Sequence, residues 1–328
     1  MRTTVFKISA FLTLMLFLFS CRSGRIKGPP DEVTVQLKWI HQAQFAGFYV
    51  AERKGFYSEE NISVTLNSCD PTTSPDSVIS DLITGKTDFA VVGGDFFLQT
   101  RSMGKPVVAV AVLFQRNPRV YVTMKDSGIV NPQDFVGKKL MVPPDALVQH
   151  NALIRKLGID RSSITIVPFE RNTKPLTTGL IDAHMMYRTG LALAFEEEGY
   201  ETNFIWVENY GIRLYGDTIV TTERIIKENP DLVLRFLRAT LRGWRYAIEN
   251  PEEAVDMTVE YNVKLSRFRQ LRMMQVQMPL IHTGKEEIGW MNKDVWVVMQ
   301  DILLGKDTID IDKAFNVLFL NEIYGTME

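Results

Sequence analysis

Two cysteines and four histidines in 328 residues leave little material for metal or disulfide chemistry. No CxxC or HxxxH pair occurs, so neither a zinc module nor a cysteine-stapled scaffold is expected. An excess of one charge is also missing. Lys and Arg total 37 against 39 Asp and Glu, a net charge of −2, which withholds the basic field that nucleic acid requires. After residue 21 there is no apolar run of membrane-spanning length, and there are no internal repeats. What remains is ordinary globular composition, 45% hydrophobic and 23% charged, in a chain long enough for two packed lobes.

The amino terminus carries the first positive signal. Arg2 and Lys7 give a positive start ahead of an apolar run from Ile8 to Phe19, about 12 residues, too short to cross a bilayer of ~30 Å. It ends in Leu18-Phe19-Ser20-Cys21, and a cysteine directly after a small residue reads as a bacterial lipoprotein signal. Residues 1–20 are then the signal peptide, Cys21 bears the lipid, and residues 21–31, with Gly28-Pro29-Pro30, form a polar tether. The expected location is the extracytoplasmic face of a cell membrane. A plain secretory signal with an incidental cysteine is the alternative. With Cys21 lipidated, Cys69 has no partner, and the fold rests on its core alone.

Beyond the tether, Val33, Val35, Leu37 and Trp39 alternate with polar residues as a strand does. A helix over Gln42–Lys54 stops at Gly55, and Ile62, Val64 and Leu66 make a second strand. Ser74-Pro75-Asp76 has the hydroxyl, proline and acid of a helix start. Phe89–Val92 and Val107–Phe114 are continuous apolar runs, the pattern of strands buried on both faces. Strands and helices in alternation define an α/β sheet. A second α/β set occupies residues 120–199, and the segments at Phe204–Val207 and Ile219–Val220 are expected to lead the chain back. From Glu223 onward the sequence reads mostly helical, with Asn229-Pro230 and Asn250-Pro251 as helix starts.

In open α/β sheets ligands sit beyond the carboxyl ends of the strands. That rule selects Trp39, His41, Gln42, Gln44, Phe45 and Tyr49 after the first strand. It selects Gly93, Gly94 and Asp95 after the third, where two glycines allow close backbone approach. Gln149 and His150 open a helix in the second set, Tyr187 and Arg188 follow a strand, and Tyr210, Tyr215 and Asp217 lie near the return crossover. Flat apolar faces beside directional polar groups suit a planar polar ligand. Stacking one ring face is worth ~2–3 kcal/mol at most. Competing structural roles stand beside these: Phe45, Phe48 and Tyr49 recur at helical spacing as core residues do, Asp95 can cap its helix, and neither His41 nor His150 shows a catalytic partner. No catalytic group, metal ligand or cofactor is expected.

The stretch Leu37-Lys38-Trp39-Ile40-His41-Gln42-Ala43-Gln44-Phe45-Ala46-Gly47-Phe48-Tyr49, continued by Lys54-Gly55-Phe56-Tyr57, resembles the opening of bacterial binding proteins for thiamine-pyrimidine precursors and riboflavin. These share a domain with the eukaryotic thiamine-pyrimidine synthases. Gly93-Gly94-Asp95, Phe114-Gln115-Arg116-Asn117-Pro118 and Asp126-Ser127-Gly128-Ile129 resemble the same family, and the likeness runs through most of residues 33–260. The resemblance implies a type II periplasmic-binding-protein fold: two α/β lobes, two crossover strands and a helical carboxyl-terminal part. Lobe 1 would comprise residues 32–114 and 220–328, and lobe 2 residues 115–219. It implies a monomer that delivers a small heterocycle to the permease and ATPase subunits of an importer, the ligand being formylaminopyrimidine, hydroxymethylpyrimidine or riboflavin. It also adds Gln115 to the ligand-binding set. The sequence departs from the family at two places. Arg188 stands where these binding proteins commonly carry a glutamate suited to an exocyclic amine, and an arginine donates and never accepts. That turns the expectation toward carbonyl-bearing or anionic ligands. Phe45 stands where the synthases carry their active-site histidine, and no cysteine lies beyond Cys69, so synthase chemistry is not expected.

Overall fold

The computed structural model describes residues 28–70, 72–306 and 308–325. The expected signal peptide and Cys21 lie outside the described residues.

Two five-stranded sheets organise the chain. The first has the order β2-β1-β3-β10-β4, from Ile62–Asn67, Asp31–Gln36, Phe89–Gly93, Asp217–Thr222 and Val107–Val112. The second has the order β7-β6-β8-β5-β9, from Thr165–Val167, Lys139–Met141, Ala183–Tyr187, Arg119–Met124 and Thr202–Trp206. In the first sheet β1 pairs in parallel with β2 and β3, while β10 runs antiparallel between β3 and β4. In the second, β5 is antiparallel to β8 and β9. Every side chain of Val-Val-Ala-Val-Ala-Val in β4 is buried, as its unbroken apolar run requires with helices on both faces.

The chain passes from β4 to β5 through residues 113–118 and returns from β9 to β10 through residues 207–216. Here the structure corrects the expected return path. Residues 202–206 do not lead back; they form the edge strand of the second sheet, paired with β5. Residues 217–222 take an interior position in the first sheet. The first strand is also shorter than the alternation suggested. It ends at Gln36, which leaves Leu37, Lys38 and Trp39 on the loop beyond its carboxyl end.

Helices fix the first sheet in place. Ser74 caps the Pro75–Thr84 helix by accepting the Asp76 N–H, and that helix ends at Gly85 with φ +78°. The Ala46–Arg53 helix packs along the 20-residue Pro230–Glu249 helix at very close range. A Cβ on Gly243 would lie 2.2 Å from the Gly47 carbonyl oxygen, and one on Gly47 would lie 2.2 Å from the Trp244 ring. Trp244 is fully buried there, as its helical stripe of apolar neighbours indicated.

Candidate functional site

The loops leaving β1, β3 and β8 and the start of β10 converge where the two lobes meet. Lys38, two residues past β1, forms an ion pair with Asp217 at the first residue of β10. Its Nζ also reaches across to the second lobe, 3.3 Å from the Tyr187 hydroxyl and 4.9 Å from that ring's centroid. Burial disfavours the Lys38 charge, but the carboxylate of Asp217 outweighs it and holds the ammonium protonated well above the lysine range. Asp217 is fully buried and accepts a second bond of 2.7 Å from Gln44 Nε2. Gln44 in turn accepts from Gln42 Nε2 at 2.7 Å. The sequence puts Gln44 on a short turn of helix, Ala43–Phe45, directly after the β1 loop, and Gln42 at the extended position that precedes the turn.

A second polar bridge lies beside the first. Asp95 opens the Gly94–Ser102 helix, is buried, and accepts from Gln149 Nε2 of the second lobe at 2.5 Å. The glycines before it meet a steric demand. A Cβ on Gly93 would sit 2.5 Å from Asp95 Oδ1, and one on Gly94 would sit 3.1 Å from the Tyr215 backbone carbonyl. The Gly94 N–H donates to the Gly216 carbonyl at 2.8 Å, tying this turn to the return crossover. On the second lobe, Arg119 opens β5. Its guanidinium lies 4.7 Å from the Tyr187 ring centroid and pairs with Asp145. Burial pushes the Tyr187 hydroxyl up, against the pull of Lys38 and Arg119. Trp39 is half-buried at the rim, with the Arg171 guanidinium 4.2 Å from its ring centroid.

Of the residues chosen from sequence, the structure thus brings together Trp39, Gln42, Gln44, Gly93, Gly94, Asp95, Gln149, Tyr187 and Asp217. It places the others differently. Phe45 is fully buried in the apolar core. His41 and Tyr49 form an aromatic cluster with Tyr261: His41 Nδ1 lies 3.1 Å from the Tyr49 hydroxyl, and Tyr49 stacks on Tyr261 at 4.3 Å. Gln115 donates to the Val112 and Trp290 carbonyls, fastening the outward crossover to the carboxyl-terminal part. His150 faces the second-lobe core, with Nδ1 2.6 Å from the Tyr121 hydroxyl. Tyr215 packs against Trp296 and accepts from the Asn292 N–H at 2.9 Å. Tyr210 is half-buried on the return crossover, and burial pushes its hydroxyl up.

Arg188 pairs with Glu196 and lies over the Phe204 ring at 4.2 Å, in a network that Arg272 joins through the same Glu196. The ligand preference read from Arg188 therefore loses its footing on that residue. Two cations, Lys38 and Arg119, join the cluster beyond the residues that the strand-end rule singled out. Lys38 follows the carboxyl end of β1 as Trp39 does, whereas Arg119 opens β5 and reaches the site because β5 runs antiparallel to β8, with Arg119 opposite Tyr187. Among the described residues, no group of His, Cys, Asp and Glu is arranged to hold a metal ion. No helix there is long and apolar enough to cross a membrane.

Two α/β lobes joined by two crossovers, with polar loops meeting between them, define the periplasmic-binding-protein fold. The structure of the periplasmic sulfonate-binding protein SsuA from Methylobacillus flagellatus superposes with a TM-score of 0.71 at 16% identity, covering 92% of this chain and 96% of that one. The chain belongs to the NMT1/THI5-like family, whose pattern matches residues 42–254. It is 25% identical over 308 residues to the riboflavin-binding protein RibY of Chloroflexus aurantiacus, covering 88% of this chain and 86% of the relative. It is also 25% identical over 303 residues to the formylaminopyrimidine-binding protein of Halalkalibacterium halodurans, covering 89% and 91%. Pyrimidine phosphate synthases are among the matches as well.

Proposed function

We propose that this protein is the substrate-binding component of an ATP-driven importer, held at the extracytoplasmic membrane face by a lipid on Cys21. Its two lobes, which exchange at residues 113–118 and 207–216, close on a planar heterocycle. The ligand is riboflavin or a thiamine pyrimidine such as formylaminopyrimidine or hydroxymethylpyrimidine. The observation that carries this reading is the inter-lobe polar cluster. Lys38 reaches Tyr187 and Asp95 holds Gln149, each bond running from one lobe to the other. Groups that link the lobes to each other are the groups a guest would engage as the lobes part and close again. Trp39 and Tyr187 add flat faces to them. The riboflavin-binding and formylaminopyrimidine-binding relatives support the same ligand class.

Titration calorimetry of the purified protein against riboflavin, formylaminopyrimidine and hydroxymethylpyrimidine tests the ligand. Dissociation constants below ~100 μM for at least one are expected, and heat from none of them removes the assignment. A second reading is a binding protein for an alkylsulfonate, supported by likeness of fold alone, and an alkylsulfonate as the sole binder would favour it. The synthase alternative has support in the shared family, but Phe45, at the place of the synthase histidine, is sealed in the core. Labelled palmitate incorporated by the wild-type chain and lost in Cys21→Ser tests the anchor.

A further inference from the structure

The ligand reading can be taken further by asking which buried polar atoms at the inter-lobe cluster are still unpaired. Asp217 is engaged by Lys38 and Gln44, and Asp95 by Gln149 and by the Phe96 N–H at 2.9 Å. The carboxylates are therefore taken. Two atoms are not: the Arg119 Nε–H and the Gln149 Oε1 are both buried without a partner. Arg119 is 4% exposed and Gln149 1% exposed, so bulk water does not satisfy them. Their neighbouring atoms are held in place. Arg119 Nη2 pairs with Asp145, and Gln149 Nε2 donates to Asp95, which also orients the amide and leaves its oxygen as the open end. One segment links the two: Asp145, the partner of Arg119, lies four residues before Gln149, where the chain enters the Leu147–Lys156 helix.

Buried polar atoms left unpaired are costly, and a guest that pairs both recovers that cost. The open donor sits on a guanidinium and calls for an electron-rich oxygen. The open acceptor calls for an N–H. Resting on the proposed function above, we infer that Arg119 and Gln149 are specificity-determining residues, and that they read a ring carbonyl adjacent to a ring N–H, the lactam or imide edge of a planar heterocycle. The dione edge of an isoalloxazine has that pattern, with an N–H between two carbonyls. An aminopyrimidine supplies the N–H through its exocyclic amine but offers the guanidinium a ring nitrogen in place of a carbonyl oxygen. The charge-assisted bond to Arg119 is the stronger of the two contacts.

The test uses the whole protein and three probes: riboflavin, its 3-methyl derivative, and hydroxymethyl-aminopyrimidine, each titrated by calorimetry or by quenching of fluorescence. Methylation at the imide nitrogen replaces the N–H with a methyl group and keeps both carbonyls. It is expected to weaken binding about 10- to 100-fold relative to riboflavin, by stranding the Gln149 oxygen. Arg119→Lys keeps the charge and removes the Nε–H, and is expected to weaken riboflavin more than it weakens the aminopyrimidine. Equal affinities for riboflavin and its 3-methyl derivative, or tighter binding of the aminopyrimidine than of riboflavin, would overturn the edge assignment while leaving the planar-ligand reading in place. Binding of none of the three overturns both.

Discussion

Replacing Asp217 with asparagine tests the electrostatic heart of the site, because the side chain keeps its shape and loses only its charge. In the wild type the Asp217 side chain is 1% exposed and that of its partner Lys38 is 17% exposed. Asp217→Asn leaves an ammonium in that setting with the Tyr187 hydroxyl as its remaining named contact. Breaking one side of a buried pair costs about 3–5 kcal/mol, because the remaining charge keeps its desolvation penalty without the attraction that offset it. The new amide still accepts from Gln44 or donates back, so the hydrogen bond contributes little to the difference. A loss near the lower end, about 3 kcal/mol, is expected from the partial exposure of Lys38. The assay is urea unfolding followed by tryptophan fluorescence, with Lys38→Met and the double variant completing a cycle. The double variant is expected to recover most of the loss, since it removes both charges. A loss below about 1 kcal/mol for Asp217→Asn, or a double variant no better than the single, would refute the argument.

The remaining expectations bear on pH, packing and ligand contact. Burial lowers both His150 and His184 to about 4, and each is neutral in the folded chain. Stability from this source is complete above the ordinary histidine value near 6.5 and is lost as pH falls from there toward 4, by on the order of 3 kcal/mol per histidine. Melting temperatures measured across pH 4–7 should show that decline, and His184→Leu should flatten part of it; a profile unchanged by the variant would contradict it. Gly243→Ala sets a methyl against the Gly47 carbonyl at 2.2 Å, and a cost of about 1–3 kcal/mol or more in chemical denaturation is expected. Trp39→Ala should weaken heterocycle binding by about 1–3 kcal/mol with little loss of stability, because the ring is only half-buried at the rim. Normal affinity in that variant would remove Trp39 from the site.

Much of the architecture was legible because strand and helix periods are local properties. The unbroken run of β4 announced a strand covered on both sides, and Ser74-Pro75-Asp76 announced its helix to the residue. The return path was not legible. The pairing of residues 202–206 with β5 depends on a partner about 80 positions away, and no local pattern names that partner. At the site, the rule of strand ends located the right loops, but it did not say which side chains on them face the other lobe. Phe45 and Tyr49 follow the same strand end and point into the core, while Gln44, directly before Phe45 in sequence, holds Asp217. Lys38 was legible in position and missed in role. Its partner Asp217 is 179 residues away in sequence (217 − 38), and only the fold brings the two together.

The Arg267–Ile281 helix has a reach wider than its place near the end of the chain suggests. Gln270 and Gln277 grip the two backbone groups of Ala43, at 2.7 and 2.6 Å, and so fasten the turn that carries Gln42 and Gln44. From the same helix Arg269 and Arg272 cross to Glu197 and Glu196 of the opposite lobe. The inner bonds are buried and costly to break, whereas the outer ion pairs are solvent-accessible and cheap. Separation of the lobes would therefore unzip at the arginines first and carry the glutamine-held turn along intact, as a door swings with its handle attached.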